Sequence, residues 1–346
     1  MRGVLRVAPL GGETTWSYLC RLAARYGMDG AVLLDGWRQA NRRPRPRRGS
    51  TTAAVVEVLF DVVGQELLAE LSGISQSTLA RALPTWQQGP AAFASASGTP
   101  RTGPKNCGRA PEGPWPGRLE AGRVRFQDAR TFGSVAIACG LCTARRTGHP
   151  VHAARYLPPW RRVCHRHQRW QSDADHDEQP GWLGVATCPE IGRAQQRWPA
   201  LARHAARRGH DPCQAFALAR TIVLRWWQQA PAWQAERWPA RVHRLTHGAA
   251  GGPETVWSAA VREAAVLPET IALAQALTDP ACIRLAHADR GHRRPGGWSA
   301  GGRFVHHLGH RLSRPWLGPL LNVDYTSPLH AWIDAAVPLS TAPARS

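Results

Sequence analysis

Lysine is almost absent from the sequence, which has 346 residues and a single lysine, Lys105. The 44 basic residues are therefore nearly all arginines, and with only 24 acidic residues they give a formal net charge of +20. A charge of this sign favours polyanionic partners, either nucleic acid or an anionic membrane surface. Heavy use of Ala, Arg, Gly and Pro is also typical of a GC-rich genome, so the charge supports such a partner without establishing it.

Long apolar runs are missing as well. The best one, "AAVVEVLFDVV" at 53–63, is interrupted by Glu57 and Asp61 and is too short to span a bilayer. Arg6 interrupts the apolar residues near the N-terminus, so a secretory signal is not expected. We therefore predict no membrane partner and a cytoplasmic, nucleoid-associated location. In that compartment the eight cysteines favour metal binding or burial over disulfides.

The common catalytic motifs are absent too. The sequence contains no G-x-S-x-G, no P-loop and no H-E-x-x-H. The segment "DADHDE", 173–178, offers carboxylates of the kind that two-metal nucleases use, but its composition is that of an exposed acidic loop. The prediction is that the protein is not an enzyme.

The residues that are present predict a mainly α fold, because apolar residues recur at helical spacing over most of the chain. Gly27, Gly64 and Gly73 are predicted helix ends. Two short segments favour strands. The predicted helices cover 13–26, 52–63, 65–72, 75–83, 232–245, 254–266 and 268–277, others start at Asp211-Pro212 and Asp279-Pro280, and the strands cover 123–126 and 134–139.

Composition also suggests how the chain is divided. We expect an N-terminal helical region with a helix-turn-helix candidate, a Pro- and Gly-rich connection, a zinc-binding module, a C-terminal helical domain and a disordered tail. These regions cover 1–83, 84–120, 121–190, 191–337 and 338–346. The tryptophans of the C-terminal region, such as Trp226 and Trp238, favour core packing over stacking on bases.

Two short pairs of metal-binding residue types lie in the middle of the chain. Cys139-x2-Cys142 is followed after 21 residues by Cys164-x2-His167. This spacing is close to that of a zinc ribbon or finger, in which each pair supplies two of the four ligands of a tetrahedral ion. The pattern predicts a structural Zn²⁺ site.

Other interpretations of these residues stay open. A redox Cys-x-x-Cys pair normally opens a helix in a βαβ unit, and no such unit is evident. His149 and His152 are alternative ligands, and so is His165 beside Cys164. Cys107 and Cys188 could take part in a second site, whereas Cys20, Cys213 and Cys282 are most simply small buried residues.

The segment "ELLAELSGISQSTLARAL", 66–83, has the pattern of a helix-turn-helix. Ala69 is small where the helices would cross, Gly73 suits the turn, and Ile74 and Leu79 are apolar. An ordinary pair of packed helices fits the same pattern. The candidate DNA-binding residues of the second helix are Ser75, Gln76, Ser77, Thr78 and Arg81.

A basic, proline-rich loop, "NRRPRPRRGS", covers 41–50. Most such runs are solvated linkers. Arg45, Arg47 and Arg48 are nevertheless candidate contacts to DNA phosphates.

Three stretches together resemble the TniQ/TnsD family, the target-selecting DNA-binding subunits of transposons. They are "PLGGETTWSYLCRLAARYG", "LAELSGIS", and the cysteine module with "RYLPPWRRVC", and they cover roughly residues 4–170. The resemblance implies a largely helical protein with zinc modules, whose ligands map to Cys139, Cys142, Cys164 and His167. Many members continue with Cys-Pro-x-Cys, but this chain has Ile191 in place of the last cysteine, so a second site is in doubt.

The resemblance also implies what the protein does. It would bind double-stranded DNA and recruit a transposition ATPase, a transposase or an RNA-guided effector, and a homodimer is one arrangement open to it. The alternative is a stand-alone helix-turn-helix transcription regulator with a structural zinc site. The residues themselves do not separate these two functions.

Overall fold

The computed structural model describes residues 6–39, 56–89, 124–174, 183–229, 237–246, 254–290, 303–314 and 326–335. The fold is mainly α, as predicted, with a few short strands and a cluster of Cys and His side chains. The chain forms two compact units, one of residues 1–158 with 172–179 and one of 159–171 with 180–346. No helix in the described ranges is both long and apolar enough to cross a membrane.

Within the described ranges, the first unit contains four of the six strands and five short helices. Its helices are α1 (Thr15–Arg25), α2 (Gly30–Gln39), α3 (Val62–Ser72), α4 (Gln76–Ala82) and α5 (Gly140–Thr147), and its strands are β1 (Val56–Phe60), β2 (Val124–Asp128), β3 (Val135–Ile137) and β4 (Ala154–Tyr156). The strands form two antiparallel pairs, β1 with β2 and β3 with β4.

The second unit is a helical bundle with one small hairpin. Its strands are β5 (Val163–Cys164) and β6 (Arg169–Trp170), and its helices are α6 (Pro189–Arg207), α7 (Pro212–Gln229), α8 (Arg237–Thr246), α9 (Glu254–Leu277), α10 (Pro280–Arg290), α11 (Arg303–Leu312) and α12 (Pro328–Ala335).

Helix α1 confirms the helix predicted over 13–26. The Thr14 hydroxyl accepts a hydrogen bond from the Ser17 amide at 3.2 Å and caps the N-terminus. Gly27 follows the helix at φ +70°, a backbone conformation that favours glycine. The side chains of Tyr18, Leu19 and Leu22 on α1 are fully buried in the core of the first unit.

The helix predicted over 52–63 is wrong where the structure describes this segment, because residues 56–60 form strand β1. Val58 pairs with Phe126 and Phe60 with Val124, partners more than sixty positions along the chain. The run is rich in valine and other apolar residues, which suits a buried strand as well as a helix. Gly64 does not end a helix either, since it lies within α3. That helix starts at Asp61, whose carboxylate accepts from the Gly64 amide at 2.7 Å.

Glu57 of β1 is fully buried. In the described part of the chain, its carboxylate accepts hydrogen bonds but forms no ion pair. Its Oε1 accepts hydrogen bonds from the amides of Thr15 at 2.9 Å and Val58 at 3.1 Å. Its Oε2 accepts from the Tyr156 hydroxyl at 2.6 Å. Burial raises the pKa of Glu57 despite these hydrogen bonds, and burial together with the Glu57 charge raises the pKa of Tyr156.

The raised pKa of Glu57 predicts a pH-dependent stability. The raised pKa means that the folded state favours the protonated carboxyl of Glu57. The contribution of Glu57 to the free energy of unfolding is therefore complete below the ordinary glutamate pKa of about 4.3. It is lost as pH rises through the pKa of Glu57 in the folded protein. We expect the melting temperature of wild type, relative to Glu57→Gln, to fall over that pH range in calorimetric scans. Glu66→Gln, at an exposed carboxyl of α3, gives the matched change of charge. If the difference in melting temperature between wild type and Glu57→Gln did not change with pH, the raised pKa of Glu57 would be contradicted.

Helix α9 contacts α6, α7, α8, α10 and α11 and forms the centre of the second unit. The unit's core contains the fully buried aromatic side chains of Trp198, Phe216, Trp226 and Trp238. Core packing of Trp226 and Trp238 is therefore confirmed. Two predicted helix starts are also confirmed, because Asp211 accepts from the Cys213 amide at 2.8 Å and Asp279 from the Ala281 amide at 2.9 Å.

The two helices predicted over 254–266 and 268–277 are in fact one, α9, which continues through Pro268. Proline removes an amide donor and normally ends or kinks a helix. Here Val266, Leu267 and Ile271 on either side of it are buried in the core, so packing keeps the segment helical. The Ala265 carbonyl nearby accepts a hydrogen bond from Arg241.

A charged network lies within this core. Glu269 of α9 bonds Arg241 Nη1 at 2.8 Å and Arg314 Nη2 at 3.0 Å, and all three side chains are less than a tenth exposed. The Arg314 guanidinium also lies over the Trp238 ring, 4.7 Å from its centroid. Burial lowers the pKa of Arg241, but hydrogen bonds and charge from Glu269 and Glu190 raise it overall, which favours the charged guanidinium.

Several predicted features lie outside the described residues. They are the basic loop 41–50 with Arg45, Arg47 and Arg48, most of the Pro- and Gly-rich connection, Cys107, most of the acidic segment 173–178, and the tail from 338. The five-part division of the chain stays a prediction.

Candidate metal centre and helix-turn-helix

The first cysteine pair opens helix α5. Strand β3 ends at Ile137, and Cys139 occupies the N-cap position of α5 with extended backbone angles. The Cys142 amide donates to the Cys139 carbonyl at 2.9 Å, so both thiols belong to the first turn. A strand followed by a helix start thus brings residues i and i+3 to one side.

The second pair lies on the tight hairpin of β5 and β6. Cys164 ends β5, and the His167 amide donates to the Cys164 carbonyl at 3.2 Å. Gln168 completes the turn with φ +49°. His165 is exposed and its ring nitrogens contact Gln195 and Gln196, at 2.8 and 3.4 Å. The rival ligand His165 is thus engaged by other side chains.

The four predicted ligands come together. One ligand atom from each of Cys139, Cys142, Cys164 and His167 lies within 4.8 Å of the other three, with Cys139 buried and the others half-buried. Cys164 Sγ and His167 Nδ1 are 3.6 Å apart. In a tetrahedral zinc site with Zn–S of about 2.3 Å and Zn–N of about 2.0 Å, neighbouring donors lie about 3.5 Å apart. The donor set and its spacing therefore fit a divalent ion of the zinc type.

This is the one group of three or more potential metal ligands within the described ranges. His149 and His152 do not join it. Cys20 is half-buried, and burial, with the nearby charges of Asp29 and Glu13, raises its pKa to about 12 and keeps the thiol protonated. Cys213 was expected to be buried, but it is exposed on α7 because it faces away from the bundle core.

Helices α3 and α4 form a tight helical pair. Gly73 joins them with φ +62°, and the Ile74 amide donates to the Ala69 carbonyl at 3.2 Å. Leu68 on α3 and Leu79 on α4 are fully buried between the elements. The predicted turn glycine and buried apolar residues are therefore present, and the helix-turn-helix stays a prediction beside an ordinary pair of packed helices.

The predicted DNA-binding side chains lie on the outer side of α4. Ser75, Gln76, Ser77 and Arg81 are exposed and Thr78 is half-buried. Ser75 is the N-cap residue, but its hydroxyl contacts those of Ser77 and Thr78 at 3.2 and 2.9 Å instead of a backbone amide. Arg81 donates to the Ser77 carbonyl at 3.3 Å. Their role at DNA stays a prediction.

Comparison with known families matches residues 4–170 to TniQ. The matched TniQ domain covers just under half of the chain. The TniQ match includes α1, the helical pair α3–α4 and all four residues of the Cys₃His group. It supports the link to transposition and DNA binding that the resemblance implied. No curated protein and no solved structure is significantly similar to the chain.

A second TniQ-type site at Cys188 finds no support among the described residues. Cys188 precedes α6, is fully buried, and its Sγ lies 3.7 Å from the Arg241 carbonyl in the core of the second unit. No other metal-binding side chain groups with it there. Ile191, in place of the second cysteine, is fully buried in the same core. Cys188 and Ile191 therefore belong to the apolar core of the second unit, at the two positions where a Cys-Pro-x-Cys pair would supply metal ligands.

Proposed function

We propose that the protein is a non-enzymatic, zinc-containing DNA-binding adaptor of transposition, which selects or marks target DNA and recruits partner transposition proteins. The observation that carries the proposal is a TniQ match over residues 4–170 that contains both the helical pair and an assembled Cys₃His group. Duplex DNA is the first partner. An ATPase, a transposase or an RNA-guided effector is the second.

The metal part of the proposal assigns Cys139, Cys142, Cys164 and His167 to one Zn²⁺. Three thiolates and an imidazole are a donor set that zinc favours. Bound zinc would supply structural cross-linking, since the protein fills all four tetrahedral positions and leaves none for water or substrate. The role of these residues is therefore to hold local structure.

The DNA part assigns the outer side of α4 to the duplex. Gln76 and Arg81 have the donor and acceptor geometry to read base edges, whereas Ser75, Ser77 and Thr78 suit phosphate oxygens. Leu68 and Leu79 are buried in the same core cluster, which supports this assignment because that core holds α3 and α4 in place.

The alternative, a transcription regulator with the same two modules, differs in its partners and not in its DNA-binding surface. Neighbouring genes for a transposase and an ATPase, with co-purification of their products, would favour the adaptor. Their absence would favour the regulator.

Binding of duplex DNA is expected to weaken steeply with salt. Each phosphate contact contributes about −0.9 to the slope of log affinity against log salt. Replacing Arg81 by Gln should weaken binding, whereas Arg25→Gln, an equal change of charge at the end of α1, should not. Fluorescence anisotropy with a labelled duplex measures both. A wild-type affinity that does not change with salt would remove DNA as the partner.

A further inference from the structure

The outer face of α6 is strongly basic. Arg193, Arg197, His204 and Arg207 recur at offsets of 4, 11 and 14 residues, so they follow one side of the helix, and Arg203 lies beside them. All five are exposed, whereas Ile191, Gln195 and Trp198 on the other side are buried. The charge pattern thus separates a core face from a solvent face along the whole helix.

These arginines are available to a ligand. In the part of the chain that the structure describes, none of Arg193, Arg197, Arg203 and Arg207 makes an ion pair. The hydrogen bonds of Arg203 and Arg207 go only to carbonyls of their own helix. The single carboxylate of α6, Glu190, lies in its first turn and pairs with Arg241 and Arg244. A shallow surface groove runs between Arg203 and Arg207 over the small side chains of Ala200 and Ala206.

The β5–β6 hairpin packs against α6 and holds this helix in place. The Gln195 side chain holds the hairpin against α6 through the Val163 amide at 2.6 Å and the Val163 carbonyl at 2.9 Å. Gln195 and Gln196 also contact His165, the residue before the exposed Arg166. We call Arg193, Arg197, Arg203 and Arg207 the α6 track.

The α3–α4 pair has the opposite balance of charge, with more acidic than basic side chains. Asp61, Glu66 and Glu70 give it three carboxylates against the single guanidinium of Arg81. Such a surface can read bases but supplies little attraction to phosphates, which provide most of the affinity of DNA-binding proteins. Among the described helices, the unpaired positive charge that a polyanion needs is concentrated on α6.

We propose that the α6 track binds the sugar-phosphate backbone of duplex DNA. The segment from Arg193 to Arg207 spans about 21 Å at about 1.5 Å per residue. Over this length the track offers four guanidinium groups, each of which can contact one backbone phosphate. Guanidinium groups suit this ligand because their forked donors pair with phosphate oxygens. The inference rests on the proposed DNA-binding function and assigns phosphate contacts to a second surface.

The test uses the full chain and a labelled duplex longer than the track. The variant Arg197→Gln with Arg207→Gln removes two contacts, so the salt slope should become less steep by about 1.8. The matched control, Arg25→Gln with Arg284→Gln, removes the same charge from exposed positions on α1 and α10 and should keep the wild-type slope. Arg193→Gln with Arg203→Gln is a second variant for which the same change is expected, and melting curves exclude misfolding.

The outcomes separate the two proposals. Wild type that binds duplex while both track variants behave like the control would overturn the track and leave the proposed function standing. Wild type that binds no duplex would overturn both. Track variants that keep the duplex slope but lose binding to polyglutamate would overturn the DNA assignment in favour of an acidic protein partner.

Discussion

Replacing Cys164 by Ser is expected to lower the melting temperature by about 10–20 °C and to release the metal. Structural zinc contributes on the order of 10 kcal/mol to small metal-binding domains. Losing about half of that shifts the melting temperature by about 2–4 °C per kcal/mol in units of this size. Serine keeps the shape of the side chain but offers a hard hydroxyl where zinc favours a soft thiolate.

The measurement combines calorimetry with a colorimetric zinc assay, and Cys213→Ser is the matched control. Cys213 is exposed on α7 and takes no part in the Cys₃His group, so its replacement should change neither stability nor zinc content. Equal effects of the two substitutions would show that Cys164 has no special role. Cys142→Ser should reproduce the Cys164→Ser result, because it removes another ligand of the same site.

The second large effect is expected at Glu269. Changing it to Gln removes the only carboxylate that contacts both Arg241 and Arg314 in the described residues. Both buried guanidinium groups then lose the charge of Glu269, and breaking a buried pair in this way costs about 3–5 kcal/mol. Glu190 keeps one contact to Arg241, at 3.2 Å.

Urea unfolding followed by tryptophan fluorescence measures this change, because Trp238 stacks under Arg314. The control is Glu263→Gln, which breaks the partly exposed pair with Arg220 and should cost less than about 1 kcal/mol. If the two variants lost the same stability, the buried network would be no more important than a surface ion pair.

Local signals in the sequence predicted those parts of the fold that depend on neighbouring residues. Asp211 and Asp279 cap helices by accepting a hydrogen bond from the amide two residues later. Gly27 and Gly73 follow helix ends because they adopt a positive φ. Each of these needs only a few consecutive residues. They were therefore visible in the sequence, as was the mainly α class.

The wrong secondary-structure predictions lie where residues distant in the sequence determine the local structure. Strand β1 forms because Phe126 and its neighbours pair with it, and no window around residues 52–63 contains that information. Pro268 does not interrupt α9, because the apolar residues around it are buried by other helices. Tertiary packing overrode local propensity in both cases.

The candidate metal site was predictable in its members but not in its local structure. The spacing of Cys139, Cys142, Cys164 and His167 identified the four residues that come together. It did not show that the first pair opens a helix, since a hairpin knuckle and a helix start both place residues i and i+3 on one side. The α6 track was missed because its arginines are spread along a helix with no compact motif, although their spacing was visible in the sequence.

Zinc-edge X-ray absorption of the purified chain tests the central claim most directly. The account predicts one zinc per chain with three sulfur neighbours at about 2.3 Å and one nitrogen neighbour at about 2.0 Å. Protein that folds and binds duplex without metal, or a zinc shell made only of oxygen and nitrogen, would contradict it.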